Sequence, residues 1–410
     1  MNTRGAHQPT IATVPPNWPS PPEDMTVTAF EEISSCPRRW ALSTAHYPGL
    51  WQGRGYPPKL QVHAVKGSTV HMAVETITKK LILAGCPSVQ DPSATNVLME
   101  LGGYTKIVTD CIQRVLRRFA DNPRALRLLD SAERNLRGQT SDLRMRVQSI
   151  LARLRLPPIA GAHERSRPTT DRTRRPLAIG AYPEVELRAQ RIRWKGKADL
   201  LVLTAEKCEI TDFKTGAPDE MHGFQVQIYA LLWSLDEELN PNHRLVSRLI
   251  LAYSTGDIEI ETLSEDRLRA FETGLLERRK TAEAALLAEP PTARPTVENC
   301  RYCGVRHLCD VYWIHNRPTG DPEPGLDVRF SDAQLRIVRR HGPLSFDAVL
   351  ETTAGIGLDR PALLRVQNFL DLQSGSRLRV LDAGIAVDPD NPAQPIIVTL
   401  TMFSEIFAVA

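Results

Sequence analysis

Apolar residues recur every three or four positions in some segments of the chain and form short or alternating runs in others. This pattern predicts helices that alternate with strands. The segment from Lys66 to Ala84 predicts an amphipathic helix with Ser68 as its N-cap. Its apolar residues recur at helical spacing: Val70, Val74, Ile77 and Leu81. Further helices are predicted over Met25–Ala45 with a break at Cys36-Pro37, Val97–Leu156 with a break near Asn122-Pro123, Met221–Glu237 and Glu265–Ala288.

Short apolar runs with strand character lie between these helices. They predict strands over Val185–Trp194, Gly196–Thr204, Cys208–Lys214, Leu245–Tyr253 and Asp257–Thr262. Pro157–Arg175 lacks periodicity and predicts a loop. The alternation favours an α/β fold with a mixed central sheet flanked by helices.

Two further segments differ from this α/β region in composition and in the pattern of apolar residues. Residues 1–24 contain six prolines and few large apolar residues, which predicts a disordered leader. After Arg317, β-like runs are separated by Gly, Pro and Asp, so we place a domain boundary near residue 318. The main domain is expected over 25–318, and a small β-rich domain, of OB type, over 319–410. An OB fold often binds single strands.

Two carboxylates are expected to face each other across a hairpin formed by Gly196–Thr204 and Cys208–Lys214. A turn centred between Ala205 and Glu206 sets Asp199 opposite Asp212. Opposed residues share one face, with Cβ atoms roughly 4.5–5.5 Å apart. Carboxylates this close repel each other unless a proton or a cation lies between them.

Lys214 points to the same face as Asp212, whereas Phe213 points to the core. Two acids and a lysine are suited to hydrolysis of a phosphodiester with a divalent metal, which activates water and stabilises developing charge. Asp199, Asp212 and the carbonyl of Phe213 are candidate ligands for magnesium. The alternative is an ion-paired patch on a solvated sheet face. The apolar flanks oppose it, since charges in an interior strand are costly unless they are paired.

Three helical side chains are candidates to support this site. His71 lies beside the apolar stripe of its helix, where a neutral imidazole is either a further metal ligand or a hydrogen-bonded core residue. Gln225 and Tyr229 are four residues apart on the helix after the hairpin. They either hold the lysine or a phosphate oxygen, or form an ordinary surface contact.

The cysteines indicate a second metal centre. Cys300, Cys303 and Cys309 form a compact cluster, and Cys36 lies 264 residues upstream in a similar loop context. Four thiolates can hold an iron–sulfur cluster or a tetrahedral zinc. His307 permits a rival zinc site with Cys300, Cys303 and Cys309. The other cysteines are expected to be inert core residues: Cys86, Cys111 and Cys208.

Charge and composition limit the class of protein. The net charge is only +3, but residues 111–156 contain eleven Arg against four acidic residues, which fits either phosphate contacts or a solvated helical surface. The sequence contains no secretory signal and an odd number of cysteines, which favours a cytoplasmic protein. It also contains no apolar run long enough to predict a membrane span. No GxxxxGK[ST] loop is present, so no nucleotide motor is expected.

The ordered set of motifs resembles the RecB-like branch of the PD-(D/E)xK nucleases, and especially its iron–sulfur members. These include the AddB nuclease domain and the CRISPR-associated RecB-like exonucleases. One departure is Ala198, which stands where the superfamily name has Pro. Another is an Arg-rich insertion at about 90–180. The matching motifs cover residues 25–310: AFEEISSCPRRWAL, GSTVHMAVE, GKADLL, EITDFKTG, QVQIY and CRYCGVRHLC.

This resemblance implies a restriction-endonuclease-like core with an iron–sulfur clip. It implies that His71, Asp199 and Asp212 bind magnesium or manganese and that Lys214 is the catalytic lysine, with Gln225 and Tyr229 beside it. A 4Fe–4S cluster would be held by four cysteines: Cys36, Cys300, Cys303 and Cys309.

Three functions follow for comparison. The first is a metal-dependent DNA exonuclease acting on ends or single strands in repair, recombination or defence, for which a helicase is a common partner. The second is a nucleic-acid-binding subunit with a nuclease-like fold and no turnover. The third is a zinc-stabilised scaffold in which the acids are structural.

Overall fold

The computed structural model describes residues 10–12, 15, 17–158, 174–314, 330–353, 359–386, 388, 390–391 and 393–409. The chain divides into two compact units. The barrel unit comprises Met1–Ser20, Glu32–Pro58 and Ala284–Ala410, and the sheet unit comprises Pro21–Glu31 and Lys59–Glu283. The boundary expected near residue 318 and most of the loop expected over Pro157–Arg175 lie outside the described residues.

The helices are α1 (Val27–Ser35), α2 (Pro37–Thr44), α3 (Val62–Leu83), α4 (Ala94–Glu100), α5 (Gly103–Arg117), α6 (Leu129–Gly138), α7 (Thr140–Leu151), α8 (Glu220–Leu235), α9 (Glu265–Leu286), α10 (Val297–Arg301) and α11 (Asp310–Ile314). The strands are β1 (Thr10–Ala12), β2 (Gly180–Ala189), β3 (Trp194–Leu203), β4 (Cys208–Lys214), β5 (Arg248–Tyr253), β6 (Gly256–Ile260), β7 (Phe330–Gly342), β8 (Ser345–Thr353), β9 (Arg360–Arg365), β10 (Arg377–Ala386), β11 (Ile396–Thr399) and β12 (Glu405–Val409).

A mixed five-stranded sheet in the order β2-β3-β4-β5-β6 forms the centre of the sheet unit. Only β4 and β5 run parallel in it, because α8 connects them, whereas a short turn joins β3 to β4. Helices α3, α5 and α7 share a core with one set of sheet residues, among them Leu200, Val202 and Phe213. α8 also packs against β2, β3, β4 and β5. The expected mixed sheet with flanking helices is confirmed.

The helix predictions are largely correct, with corrections at the ends. α1 and α2 are separated at Cys36, as expected. α3 begins at Val62 with Gln61 at its N-cap, so Ser68 is not the cap. The earlier turn is helical because Val65 is buried in the same core as Val70. The helical segment predicted over Val97–Leu156 is divided also at Gly102 and Gly103, which both adopt positive φ.

The strand expected over Val185–Trp194 is two strands. β2 ends at Ala189, a 3₁₀ turn covers Gln190–Ile192, and β3 begins at Trp194. Arg193 takes a left-handed conformation with φ of 55°, which returns the chain so that Trp194 pairs with Ala189. The turn segment contains neither Gly nor Pro, so no turn signal in the sequence marks the change of direction.

A closed barrel of five strands forms the C-terminal part of the barrel unit. Its order is β7-β8-β9-β11-β10, and β10 pairs back to β7. β9 and β11 are parallel, and the other neighbours are antiparallel. The interior contains alternate apolar residues, including Leu335, Phe346, Leu364, Leu378 and Val398.

One part of the expected leader has regular structure. Thr10–Ala12 forms β1 and pairs in parallel with β12, so the expectation of disorder is wrong for these residues. A short segment can join a strand edge through backbone hydrogen bonds without a large apolar core of its own. Residues 1–9, 13–14 and 16 lie outside the described residues.

Candidate active site

Two buried carboxylates lie at the open end of the β3–β4 hairpin. The strands pair in the predicted register from Leu203 opposite Cys208 to Leu200 opposite Thr211. One step further, Oδ2 of Asp199 accepts a 2.6 Å hydrogen bond from the backbone N–H of Phe213. Asp199 and Asp212 are only 7% and 3% exposed. Where the two acids meet, the backbone N–H of Phe213 therefore bonds to a side-chain oxygen instead of to a carbonyl of the neighbouring strand.

The electrostatics of this pair oppose a second negative charge. Burial raises the pKa of Asp199 well above its ordinary value, and the charge of Asp212 raises it further. The hydrogen bond from Phe213 acts in the opposite direction. A cation close to both acids would favour their ionised forms.

Lys214 is held between the sheet and α8. Its Nζ lies 2.7 Å from Oδ2 of Asp212 and donates a 2.6 Å hydrogen bond to Oε1 of Gln225. The amide of Gln225 in turn donates to the hydroxyl of Tyr229 at 2.7 Å. Burial raises the pKa of Tyr229, which therefore stays a neutral hydroxyl. Of the two alternatives left open for Gln225 and Tyr229, these hydrogen bonds favour a contact with the lysine over an ordinary surface contact.

The buried Oδ2 of Asp212 has an ion pair but lacks a full hydrogen-bond complement. Its 2.7 Å contact with Lys214 is close enough for charge attraction. Within the described residues, that same oxygen has no hydrogen-bond partner of good geometry. We read the contact as an ion pair without directional bonding, so the oxygen retains capacity for a further positive ligand.

His71 reaches the same point from α3. Its Nε2 lies 2.7 Å from the carbonyl oxygen of Phe213 and 3.3 Å from Oδ2 of Asp199. The ring also contacts the Phe213 ring edge-on, with centroids 5.8 Å apart. The structure therefore brings together the imidazole, the carbonyl and the carboxylate that were singled out from the sequence.

Glu184 was missed by the sequence reasoning. With His71 and Asp199 it offers three ligand atoms within 4.8 Å of one another. It lies in β2 between two residues that pair with Leu200 and Ala198, so it falls opposite Asp199. Its φ of 58° is unusual for a residue in a strand. The strand was expected to start at Val185, which placed this acid outside it.

A histidine–tyrosine pair also lies near the lysine and was not foreseen. Nδ1 of His222, on α8, is 2.7 Å from the hydroxyl of Tyr253. Tyr253 is the register partner of Lys214 in the parallel β4–β5 pair. Burial lowers the pKa of His222, and the charge of Lys214 lowers it further.

The four singled-out cysteines line one pocket in the barrel unit. Cys36, Cys300, Cys303 and Cys309 surround it together with basic side chains, among them Arg38, Arg39 and Arg294. Burial raises the pKa of the Cys300 thiol to about 11 and that of the Cys303 thiol to about 12. Among the described residues, no three of these sulfur atoms lie within 4.8 Å of one another.

His307 does not join the cysteines in this structure. Its Nε2 lies 2.6 Å from the hydroxyl of Tyr56, and its ring stacks on Phe407 with centroids 3.7 Å apart. The rival zinc set that includes His307 is therefore not assembled. The other cysteines are buried, as expected: Cys86, Cys111 and Cys208.

Comparison with protein-family models matches residues 24–310 to the PD-(D/E)XK nuclease superfamily. This chain belongs to that superfamily. Membership in the PD-(D/E)XK superfamily accounts for the mixed sheet with flanking helices, and it supports a phosphodiesterase that acts on nucleic acid. Comparison with curated proteins finds no significant match. Among the described residues, no helix has the length and apolar character needed to span a membrane.

Proposed function

We propose that this protein is a magnesium- or manganese-dependent deoxyribonuclease of the RecB-like branch. The observation that carries the proposal is the convergence of Asp199, Asp212, Lys214 and His71 at one end of the β3–β4 hairpin. As part of this proposal, the enzyme is an exonuclease that acts on DNA ends or single strands. Its role is then repair, recombination or defence, with a helicase as a suitable partner.

The donor atoms at this site fit a hard divalent cation. The carboxylates of Asp199, Asp212 and Glu184 and the carbonyl of Phe213 would supply oxygen ligands, and His71 would supply a nitrogen. The buried Oδ2 of Asp212, without a hydrogen bond among the described residues, supports this assignment. Such an ion, when bound, lowers the pKa of water and offsets charge on the phosphoryl oxygens.

The protein's own residues hold the reacting groups in place. The Phe213 N–H fixes the carboxylate of Asp199, so its free oxygen has a defined direction. Gln225 restrains the ammonium group of Lys214 beside the acids. From there the lysine orients the attacking water or neutralises charge on the phosphoryl group.

The cysteine pocket supports a 4Fe–4S cluster as part of the same proposal. A tetrahedral zinc with Zn–S bonds of about 2.3 Å would place its thiolates about 3.8 Å apart. No three of the four sulfur atoms lie within 4.8 Å of one another among the described residues, and a cluster larger than a single ion would accommodate that separation. The neighbouring arginines would offset the negative charge of the thiolates: Arg38, Arg39 and Arg294. Zinc is the alternative occupant.

We also propose that the five-stranded barrel is of OB type and contacts a single strand. Its strand order, with β10 returning beside β7, is that of a small Greek-key barrel. Phe369 is 52% exposed, and the guanidinium of Arg340 lies 4.7 Å from the centre of its ring. An exposed aromatic ring beside an arginine is suited to stacking with bases.

Two conservative variants test the nuclease proposal. Asp212→Asn and Lys214→Met are expected to reduce magnesium-dependent degradation of end-labelled DNA by about a thousandfold or more. Binding of the same DNA in calcium, measured by fluorescence anisotropy, should survive in both. Glu206→Gln and Lys207→Met change the same charges in the exposed hairpin turn and serve as matched controls.

The silent binding subunit and the zinc-stabilised scaffold predict other results in these assays and in a metal analysis of the purified protein. Wild-type protein that binds DNA but cuts no single- or double-stranded substrate with either metal is a silent binding subunit. Full activity of Asp212→Asn would overturn the assigned site. Protein that neither binds nor cuts DNA, and contains one zinc per chain, is a structural scaffold.

A further inference from the structure

A basic pocket adjoins the candidate active site within the sheet unit. This α3 pocket lies between the first turns of α3, the side of α7 and the chain that leaves β4. Its wall combines the apolar side chains of Ala64, Val70 and Leu143 with a set of polar and basic residues: His63, Lys66, Ser68, Arg146 and Thr215. None of these has been assigned a part in the proposed cleavage.

The pocket and the candidate site share the same backbone segments. Thr215 directly follows Lys214, and Gly67 lies one helical turn before His71. A Cβ added at Gly67 would lie 2.8 Å from Oγ1 of Thr215, so helix and loop are in direct contact there. The two sites are therefore held at a fixed short separation along one side of α3.

The charge of the pocket favours an anion. Its lining includes Lys66, Arg146 and His63 but no carboxylate. Asp142, outside the lining, pairs with Nε of Arg146 at 3.0 Å. One terminal nitrogen of Arg146 makes only a long 3.4 Å contact with the carbonyl of Thr215. The positive end of α3 adds to this field, since Gln61 provides no side-chain cap.

We propose that the α3 pocket binds a phosphate group of the nucleic-acid strand next to the bond that is cut. This inference rests on the proposed function, because it takes DNA as the substrate. A strand with one phosphate near Lys214 carries its next phosphate one nucleotide away, and a cationic pocket beside the lysine would hold it. Lys66 would contribute a point charge, and Arg146 a planar donor. This contact would fix which bond enters the candidate active site.

The salt dependence of DNA binding tests the proposal without requiring cleavage. The probe is a fluorescein-labelled single-stranded 12-mer in calcium, titrated at several salt concentrations. Loss of one phosphate contact in Lys66→Gln should reduce the slope of log Kd against log salt by about 0.7. Lys66→Arg keeps the charge and should restore the slope. Lys80→Gln removes an exposed lysine in the last turn of the same helix and should leave the slope unchanged.

Two phosphate sources can be separated with the same assay. A penalty in Lys66→Gln that requires a 5′- or 3′-phosphorylated end assigns the pocket to a terminal phosphate. An equal penalty on phosphorylated and unphosphorylated strands assigns it to an internal phosphodiester. A wild-type slope in Lys66→Gln on every strand would overturn the proposal. If the wild type cuts DNA but Lys66→Gln keeps the wild-type slope, the proposed function stands and the phosphate site in the α3 pocket is wrong. If Lys66→Gln reduces the slope but the wild type cuts no DNA, the phosphate site in the α3 pocket stands and the proposed function is wrong.

Discussion

The position of a single ammonium group depends on two neighbours that differ in chemistry. Nζ of Lys214 lies 2.7 Å from a carboxylate oxygen of Asp212 and 2.6 Å from the amide oxygen of Gln225. The carboxylate attracts the charge, whereas the amide restrains its direction. Tyr229 accepts a hydrogen bond from the far side of that amide and so fixes its rotation.

Replacing these two holders should have graded effects on catalysis. Gln225→Leu removes a hydrogen bond to a charged group, worth about 1.5–3 kcal/mol, and is expected to lower kcat by roughly 10- to 100-fold. Tyr229→Phe removes a neutral bond worth about 0.5–1.5 kcal/mol and should lower kcat by about tenfold or less. Steady-state assays on end-labelled DNA compare them. A larger loss in Tyr229→Phe than in Gln225→Leu would show that the hydroxyl acts on the substrate itself.

At the scale of elements, α8 reaches the candidate site because β3 offers it a residue without a side chain. A Cβ added at Gly196 would lie 2.7 Å from Cε1 of Tyr229 and 3.1 Å from Cδ1 of Leu232. Both side chains are buried, so they have little room to move. The close approach of helix and strand is what brings Gln225 to Lys214.

Gly196→Ala should therefore reduce stability and activity together. Overpacking at this contact is expected to cost about 1–3 kcal/mol in the free energy of unfolding and to displace Tyr229. Gly274→Ala in α9 is the matched control, because a Cβ there has no neighbour within 4 Å. It should raise stability by about 0.5–1 kcal/mol. Urea unfolding and the cleavage assay measure both, and an unchanged activity in Gly196→Ala would argue against the packing role.

At the scale of the whole molecule, the cysteine pocket joins parts of the chain that are distant in sequence. Cys36 precedes α2, whereas Cys300 lies in α10, 264 residues later. A metal cluster that closes so long a loop would restrict the unfolded chain, by about 5 kcal/mol on the relation used for disulfides. The stability of the protein would then depend on the cluster.

Iron loading should depend on the pocket cysteines alone. Protein purified without oxygen is expected to be brown and to contain iron and sulfide, and Cys303→Ser should lose both and unfold at a lower temperature. Cys208→Ser is the control, since this buried thiol lies in β4, outside the pocket. Metal analysis and thermal melting are the measurements. A colourless wild type with one zinc per chain would favour the zinc alternative.

A buried charge network gives the barrel unit a pH-dependent stability. Arg306 pairs with Asp332 at 2.6 Å and with Asp382 at 2.8 Å. Burial raises the pKa of Asp332, but Arg306 and further hydrogen bonds outweigh it and leave that pKa below its ordinary value. Such a group stabilises the fold above the pKa of the unfolded aspartate, and this contribution is lost as pH falls through the folded value.

Asp332→Asn should therefore weaken the protein near pH 7 more than in acid. Breaking one side of a buried pair costs on the order of 3 kcal/mol at neutral pH, and the difference from wild type should shrink below about pH 4. Denaturant unfolding at pH 7 and at about pH 2, well below the ordinary pKa of an aspartate, measures this. Asp371→Asn, at an exposed position of the same unit, should show no such difference. An equal loss at both pH values would contradict the network's role.

Local pattern was sufficient for the hairpin register and for the acids and lysine near its end. Strand alternation and a short turn fix which residues oppose each other, so Asp199, Asp212 and Lys214 could be placed from the sequence alone. Tertiary structure decided the rest. Glu184 joined the acids through the pairing of β2 with β3, the cysteine pocket closed over 264 residues, and β10 sealed the barrel by returning to β7. Contacts between distant segments depend on packing and chain path, which leave no period in the sequence.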